Sequence, residues 1–201
     1  MKTVYTIGYS GFKINDFVET LHKNGINLVI DVRSKPYSQY FPDYNKEKLE
    51  KALDMEHVIY RSYAAEFGAR QTDRVYYEHG YMDFELFSQS DSFLNGLDKV
   101  EKILNIGATP TLMCAEKDPF NCHRAILVAR ALSLYGYQVK HLLPDNDAIT
   151  QLDLEKRLLD FYFPHRYQLS LVDEMQEDNE LLVKAYKKRN QEIGFSKGDE
   201  Q

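Results

Sequence analysis

Short apolar runs of strand length alternate along this chain with longer stretches whose apolar residues recur at helical spacing. The apolar runs lie at residues 4–7, 28–30, 57–60, 109–114 and 138–142. Between them, Ile14, Phe17, Val18 and Leu21 keep a helical period that Gly25 can end. Residues 45–54 and 83–105 read as further helices, the second carrying Phe84, Leu86, Phe87, Phe93, Leu97, Val100, Ile103 and Leu104. Residues 122–135 are apolar nearly all round, which predicts a buried helix capped by Gly136. Strands separated by helices cannot pair as hairpins. They predict an α/β protein with a three-layer, mostly parallel sheet and helices on both faces. Binding sites in such sheets lie beyond the carboxyl ends of the strands. Here three polar segments emerge there: 8–11, 31–36 and the loop after Cys114.

With 201 residues, 43% hydrophobic and 28% charged, the chain can bury a core without covalent staples. Its two cysteines, Cys114 and Cys122, are too close together to frame a disulfide scaffold. A net charge of -6 argues against a broadly basic nucleic-acid binder, although it leaves room for a local basic cleft. No apolar run is long enough for a bilayer crossing, and the N-terminus lacks signal-peptide architecture; the expectation is a cytoplasmic protein. Residues 1–145 read as the α/β core domain and 146–201 as a helical extension packed on or projecting from it. The extension's first helix carries Leu152, Leu154, Leu158, Leu159 and Phe161, with Pro164 after it. Its second helix, about 172–193, is charged and weakly amphipathic.

The densest chemistry lies at residues 114–124, which contain Cys114, Glu116, Cys122, His123 and Arg124. A strand delivers Cys114 to the sheet edge, a polar loop follows, and Asn121 is a good cap for the next helix. Unpaired amides of a first turn, the helix dipole and Arg124 favour an anion, and the same field lowers the pKa of a nearby thiol. Strand, cysteine, loop and helical arginine are also the layout of rhodanese-like sulfurtransferases and cysteine phosphatases, though this loop is longer than a phosphatase loop. Taken alone, Cys114 is better read as a small packed residue. Within a thiol enzyme it is the expected nucleophile, because it ends its strand facing the helix dipole, and Cys122 is a resolving or packing thiol. Cys114, Cys122 and His123 are candidate zinc ligands, but their spacing is not that of a finger or ribbon and no fourth ligand is evident. A Cys114–Cys122 redox pair would need the loop to fold back. At the neighbouring strand end, Asp31 can orient Arg33, or pair with Arg124 or His123, or form a purely structural salt bridge. Tyr37, Tyr40, Phe41 and Tyr44 read mainly as loop packing, while Arg61, Glu66 and Arg70 are within reach of the cleft.

These pieces occur in a recognisable order. Residues 6–10 (TIGYS), 31–38 (DVRSKPYS), 60–61, 66–69 (EFGA), and 112–116 (LMCAE) followed by 122–124 (CHR) resemble the domain-of-unknown-function family 488 over roughly residues 3–143. Two positions depart from it: Tyr9 stands where the family often has histidine, and Phe67 and Ala69 replace a more usual Leu-Gly-Gly turn. The resemblance implies a compact α/β domain of bacterial type and leaves the chemistry open.

The expected function is therefore a small enzyme binding an anionic or phosphorylated substrate at the sheet edge. Cys114, Glu116, Cys122 and His123 are its candidate catalytic residues; Arg33, Arg124, Ser10 and Asp31 are its candidate anion-binding residues. No metal and no cofactor is expected, and the partner is a small anionic ligand or nucleotide. The alternative is a non-catalytic nucleotide or nucleic-acid binding module with structural cysteines. A third is an interaction protein acting through its C-terminal helices.

Overall fold

The computed structural model describes residues 2–144, 147–167 and 178–196. Six strands form one sheet in the order β3-β2-β4-β1-β5-β6. They are β1 (Thr3–Gly8), β2 (Leu28–Asp31), β3 (Ile59–Ser62), β4 (Pro110–Cys114), β5 (Gln138–Leu142) and β6 (Ala148–Thr150). All neighbours pair in parallel except β5 and β6, which run antiparallel. The central strands β2 and β4 are buried along their whole length, as a sheet covered on both faces requires.

Side chains alternate between the faces, so each strand feeds two cores. On one face Ile7, Val29, Tyr60 and Met113 pack against α1 (Ile14–Lys23) and α2 (Lys46–Met55), through Phe17, Leu21, Leu49 and Leu53. On the other, Val4, Ile30, Leu112 and Cys114 meet the remaining helices. These are a short α3 (Ala64–Phe67), α4 (Phe84–Ser88), α5 (Asp91–Asn105), α6 (Arg130–Leu134), α7 (Gln151–Tyr162) and α8 (Asp178–Ile193). The result is the three-layer α/β architecture.

Several boundaries differ from the sequence reading. The expected helix over 83–105 is two helices, because Asp83 and Ser90 each cap a new start with their side chains. The third strand begins two residues late, after His57 turns the chain at a φ of 58°. The buried helix opens with a π-helical turn, Arg124–Ala129, before continuing as α6, and Gly136 follows it at a φ of 87°. Strand β6 was not expected; its three residues are too few to show a period. The first helix of the C-terminal extension begins at Gln151, held by a reciprocal Thr150–Asp153 capping box. The expectation for residues 172–177 lies outside the described residues. Leu154 and Leu158 of α7 and Ala185 and Tyr186 of α8 share one core with the sheet. Among the described residues no helix is long and apolar enough to cross a membrane.

Candidate functional site

Strands β1, β4 and β2 deliver Gly8, Cys114 and Asp31 to one edge, with Gly8 paired to Cys114 and Asp31 to Met113. The loop after Cys114 folds back over the end of β1. A Cβ on Gly8 would lie 1.8 Å from the Glu116 carbonyl oxygen, so only glycine permits this approach. Ser10 also holds the loop, through its backbone N–H donated to the Ala115 carbonyl at 3.0 Å. Arg124, fully buried, donates to the Glu116 carbonyl at 2.5 Å, the Lys117 carbonyl at 3.2 Å and the Thr6 hydroxyl at 3.3 Å. On the far side, Asp118 caps the turn at Phe120 and forms a bidentate ion pair with Arg157.

The loop brings four reactive groups together. The Cys114 and Cys122 sulfurs both lie within hydrogen-bond distance of Glu116 Oε2, at 3.1 and 2.8 Å. His123 Nε2 lies 3.0 Å from the Val32 carbonyl, which places a proton on that nitrogen and leaves Nδ1 facing Cys114 Sγ at 3.8 Å. Burial works against a charged Cys122. The hydrogen bond from Cys114, the Arg124 guanidinium and His123 outweigh it and hold the Cys122 thiol well below its usual range. Cys114 is pushed up, first by its contact with Cys122 and then by burial. Burial, followed by the nearby Cys122, raises Glu116. Burial opposes protonation of His123, yet its contacts with Cys122 and Glu116 raise its pKa. The thiol held low is therefore Cys122 and not Cys114.

Beside this cluster lies a cleft of about 570 Å³. Cys114, Glu116 and His123 line it together with Tyr9, Arg33, Lys35 and Arg70. Arg33 is 5% exposed. Its Nε and Nη2 grip Asp31 at 2.6–3.1 Å, and Nη2 also donates to the Tyr44 carbonyl at 2.9 Å. The Tyr60 hydroxyl donates to Asp31 as well, at 2.7 Å. Arg33 lines the cleft, and its Nη1 is buried with no hydrogen-bond partner among the described residues. Burial works against the Arg33 charge, but the hydrogen bonds to Asp31 more than compensate and keep it protonated.

The expected anion-binding set thus divides. Arg33 faces the cleft, Asp31 orients Arg33, and Ser10 and Arg124 build the loop. Asn121 does not cap the helix; it sits in a tight turn over Pro119–Asn121 while Cys122 is extended, so helical backbone starts one residue later. Of the more distant candidates, Arg70 lines the cleft, whereas Arg61 bonds the Tyr60 carbonyl and Glu66 pairs with Lys99. Tyr37 lines the cleft, while Phe41 and Tyr44 pack on Tyr9. The sequence reading missed the outer wall, Glu192, Ile193, Gly194 and Phe195, where the Phe195 ring lies 4.3 Å from the Arg70 guanidinium. A lone aromatic in a polar tail gave no local signal of this.

Sheet order and site together define an α/β protein with a cysteine–carboxylate–histidine cluster at the carboxyl edge of a parallel sheet. The chain belongs to the family described as Domain of unknown function DUF488, whose family model matches residues 13–131. No curated protein and no solved structure matches it.

Proposed function

We propose that this chain is an enzyme acting on a small anionic, phosphorylated ligand, which Arg33 anchors in the cleft against the sulfur-centred cluster. The observation that supports this most is the orphaned Arg33 Nη1. A buried guanidinium N–H without a partner is costly to leave unmade, and a charged acceptor is its natural complement. Asp31 and Tyr44 hold the other nitrogens, so the free edge is fixed before any ligand arrives. Lys35 and Arg70 add positive charge to the same cleft, and Tyr9 lies under the Arg33 guanidinium, 5.0 Å from ring centre to Cζ. A ligand anchored there shares the cleft with Cys114, Glu116 and His123. A site with two thiols, a carboxyl and an imidazole has nucleophilic and proton-moving capacity that simple anion binding does not need.

Calorimetric titration with inorganic pyrophosphate tests the reading. Arg33→Lys keeps a cation beside Asp31 but cannot fork between Asp31 and a ligand. It is expected to weaken binding about 10–100-fold, the value of one charge-assisted hydrogen bond. Arg70→Gln, at the rim, is expected to cost less, and added salt should weaken binding throughout. A folded parent that does not bind pyrophosphate, or an Arg33→Lys variant that binds it equally well, overturns the proposal.

A further inference from the structure

We infer that Cys114, Glu116, Cys122 and His123 form a binding site for a zinc ion. Each offers one ligand atom, and these four atoms lie within 4.8 Å of one another. Tetrahedral zinc, with bonds of about 2.0–2.3 Å, sets neighbouring ligand atoms roughly 3.3–3.8 Å apart. Three of the six separations are 2.8, 3.1 and 3.8 Å and none exceeds 4.8 Å, so side-chain adjustments of about an ångström would close the set around one ion. Glu116 is the fourth ligand that sequence spacing did not reveal.

The donor chemistry selects the ion. Two thiolates and an imidazole are poor partners for magnesium or calcium and good ones for zinc. His123 is already oriented as metal-bound histidines are: one ring nitrogen donates to the Val32 backbone carbonyl and the other faces the sulfurs. Charge fits as well. Two thiolates and a carboxylate against a dication leave one negative charge, and the buried Arg124 guanidinium beside the loop carries the matching positive one. Arg124 also fixes the loop that carries Glu116, so the ligands are held before the ion arrives. Cys114, Glu116 and His123 border the cleft and give the ion a way in.

Three of the zinc ligands, Cys114, Glu116 and His123, border the anion cleft, but the anion anchor Arg33 is not among the ligands, and zinc would convert the cluster from free thiols into a metal–thiolate centre. The test uses the full chain and two probes, zinc and cobalt(II). Chelator-stripped protein titrated with cobalt(II) should develop thiolate-to-cobalt charge-transfer absorption that saturates at one equivalent and is displaced by zinc. Cys122→Ser and His123→Ala should each weaken zinc binding at least about 100-fold, because losing a ligand costs more than losing the bond that orients one. Should either variant fold poorly, the parent protein supplies a second measurement. Zinc should protect both Cys114 and Cys122 from alkylation, and a chelator should reverse the protection, as read by mass spectrometry. A folded parent without charge-transfer absorption, variants that bind zinc like the parent, or thiols that zinc does not protect would each overturn the site. Arg33→Lys should bind zinc unchanged, so failure of the anion reading and failure of this one are separable.

Discussion

At the scale of single residues, the loop is wired to a buried polar chain. Arg124 donates to the Thr6 hydroxyl, which meets His141 Nδ1 at 2.8 Å; His141 Nε2 meets Gln151 Oε1 at 2.8 Å. Gln151 in turn donates to the Tyr186 hydroxyl, and Tyr186 to Glu155. His141 is fully buried, and burial together with the Arg124 charge lowers its pKa to about 4, against weaker upward pulls from Gln151, Cys122 and Asp118. An unfolded histidine titrates near 6.5, so the unfolded chain binds more protons between those values. His141 thus adds stability above about pH 6.5 that is lost as pH falls towards 4. Urea unfolding at pH 7 and pH 4.5 should show His141→Asn losing about 2–3 kcal/mol less than the parent across that interval. Parallel pH profiles for parent and variant would contradict this. Some of the residue chemistry was legible in the sequence because it is local. Asp31 and Arg33, two apart at a strand end, form one of the pairings open to Asp31. The role of Arg124 was not legible, because cleft-facing and loop-facing arginines look alike until their acceptors are known.

At the scale of elements, the site depends on how closely β1 and the loop after β4 approach. Gly8 has an ordinary φ of -108°, so glycine is needed there for space and not for backbone freedom. Gly8→Ala would drive its Cβ into the Glu116 carbonyl and to 3.0 Å from Arg124 Nη2. Backbone cannot yield there without moving Glu116 off the two thiols. Overpacking of this kind costs typically about 1–3 kcal/mol, a fall in Tm of several degrees for a chain of this size. Alkylation of Cys114 and Cys122 should become faster at the same time. A normal Tm with unchanged thiol rates would show that the loop can retreat without disturbing the cluster. The alternation of strands and helices was readable because burial imposes a period on the sequence. Element ends were harder. Ser90 splits one apolar stretch into α4 and α5 without breaking its pattern, and Cys122 delays the helix that Asn121 was expected to start. Side-chain caps compete with periodicity there, and periodicity alone cannot rank them.

At the scale of the whole molecule, the C-terminal helices complete the site. Leu181, Ala185 and Tyr186 bury the inner face of α8, and the residues after it wall the cleft, tied down where the Met82 N–H donates to the Phe195 carbonyl at 2.9 Å. Such contacts join residues more than a hundred positions apart, and no local pattern in a charged tail announces them. Arg189 is the clearest case. Its side chain is 9% exposed, its Nε donates to the Phe120 carbonyl at 2.9 Å, Nη2 donates to Asn121 Oδ1, and the guanidinium stacks 4.4 Å from the Phe120 ring. Both acceptors lie in the turn just before Cys122, so α8 braces the loop at its Cys122 end while Arg124 holds it at Glu116 and Lys117. Arg189→Ala would leave the Phe120 carbonyl without its donor, a loss of roughly 1–3 kcal/mol for a buried acceptor. If the loop opens locally before the protein unfolds, amide hydrogen exchange over residues 116–123 should accelerate about 10–100-fold while β1 and β4 keep their protection. Exchange that rises only within α8, with the loop unchanged, would mean that Arg124 and Asp118 suffice to hold the loop and that the C-terminal helix merely covers it.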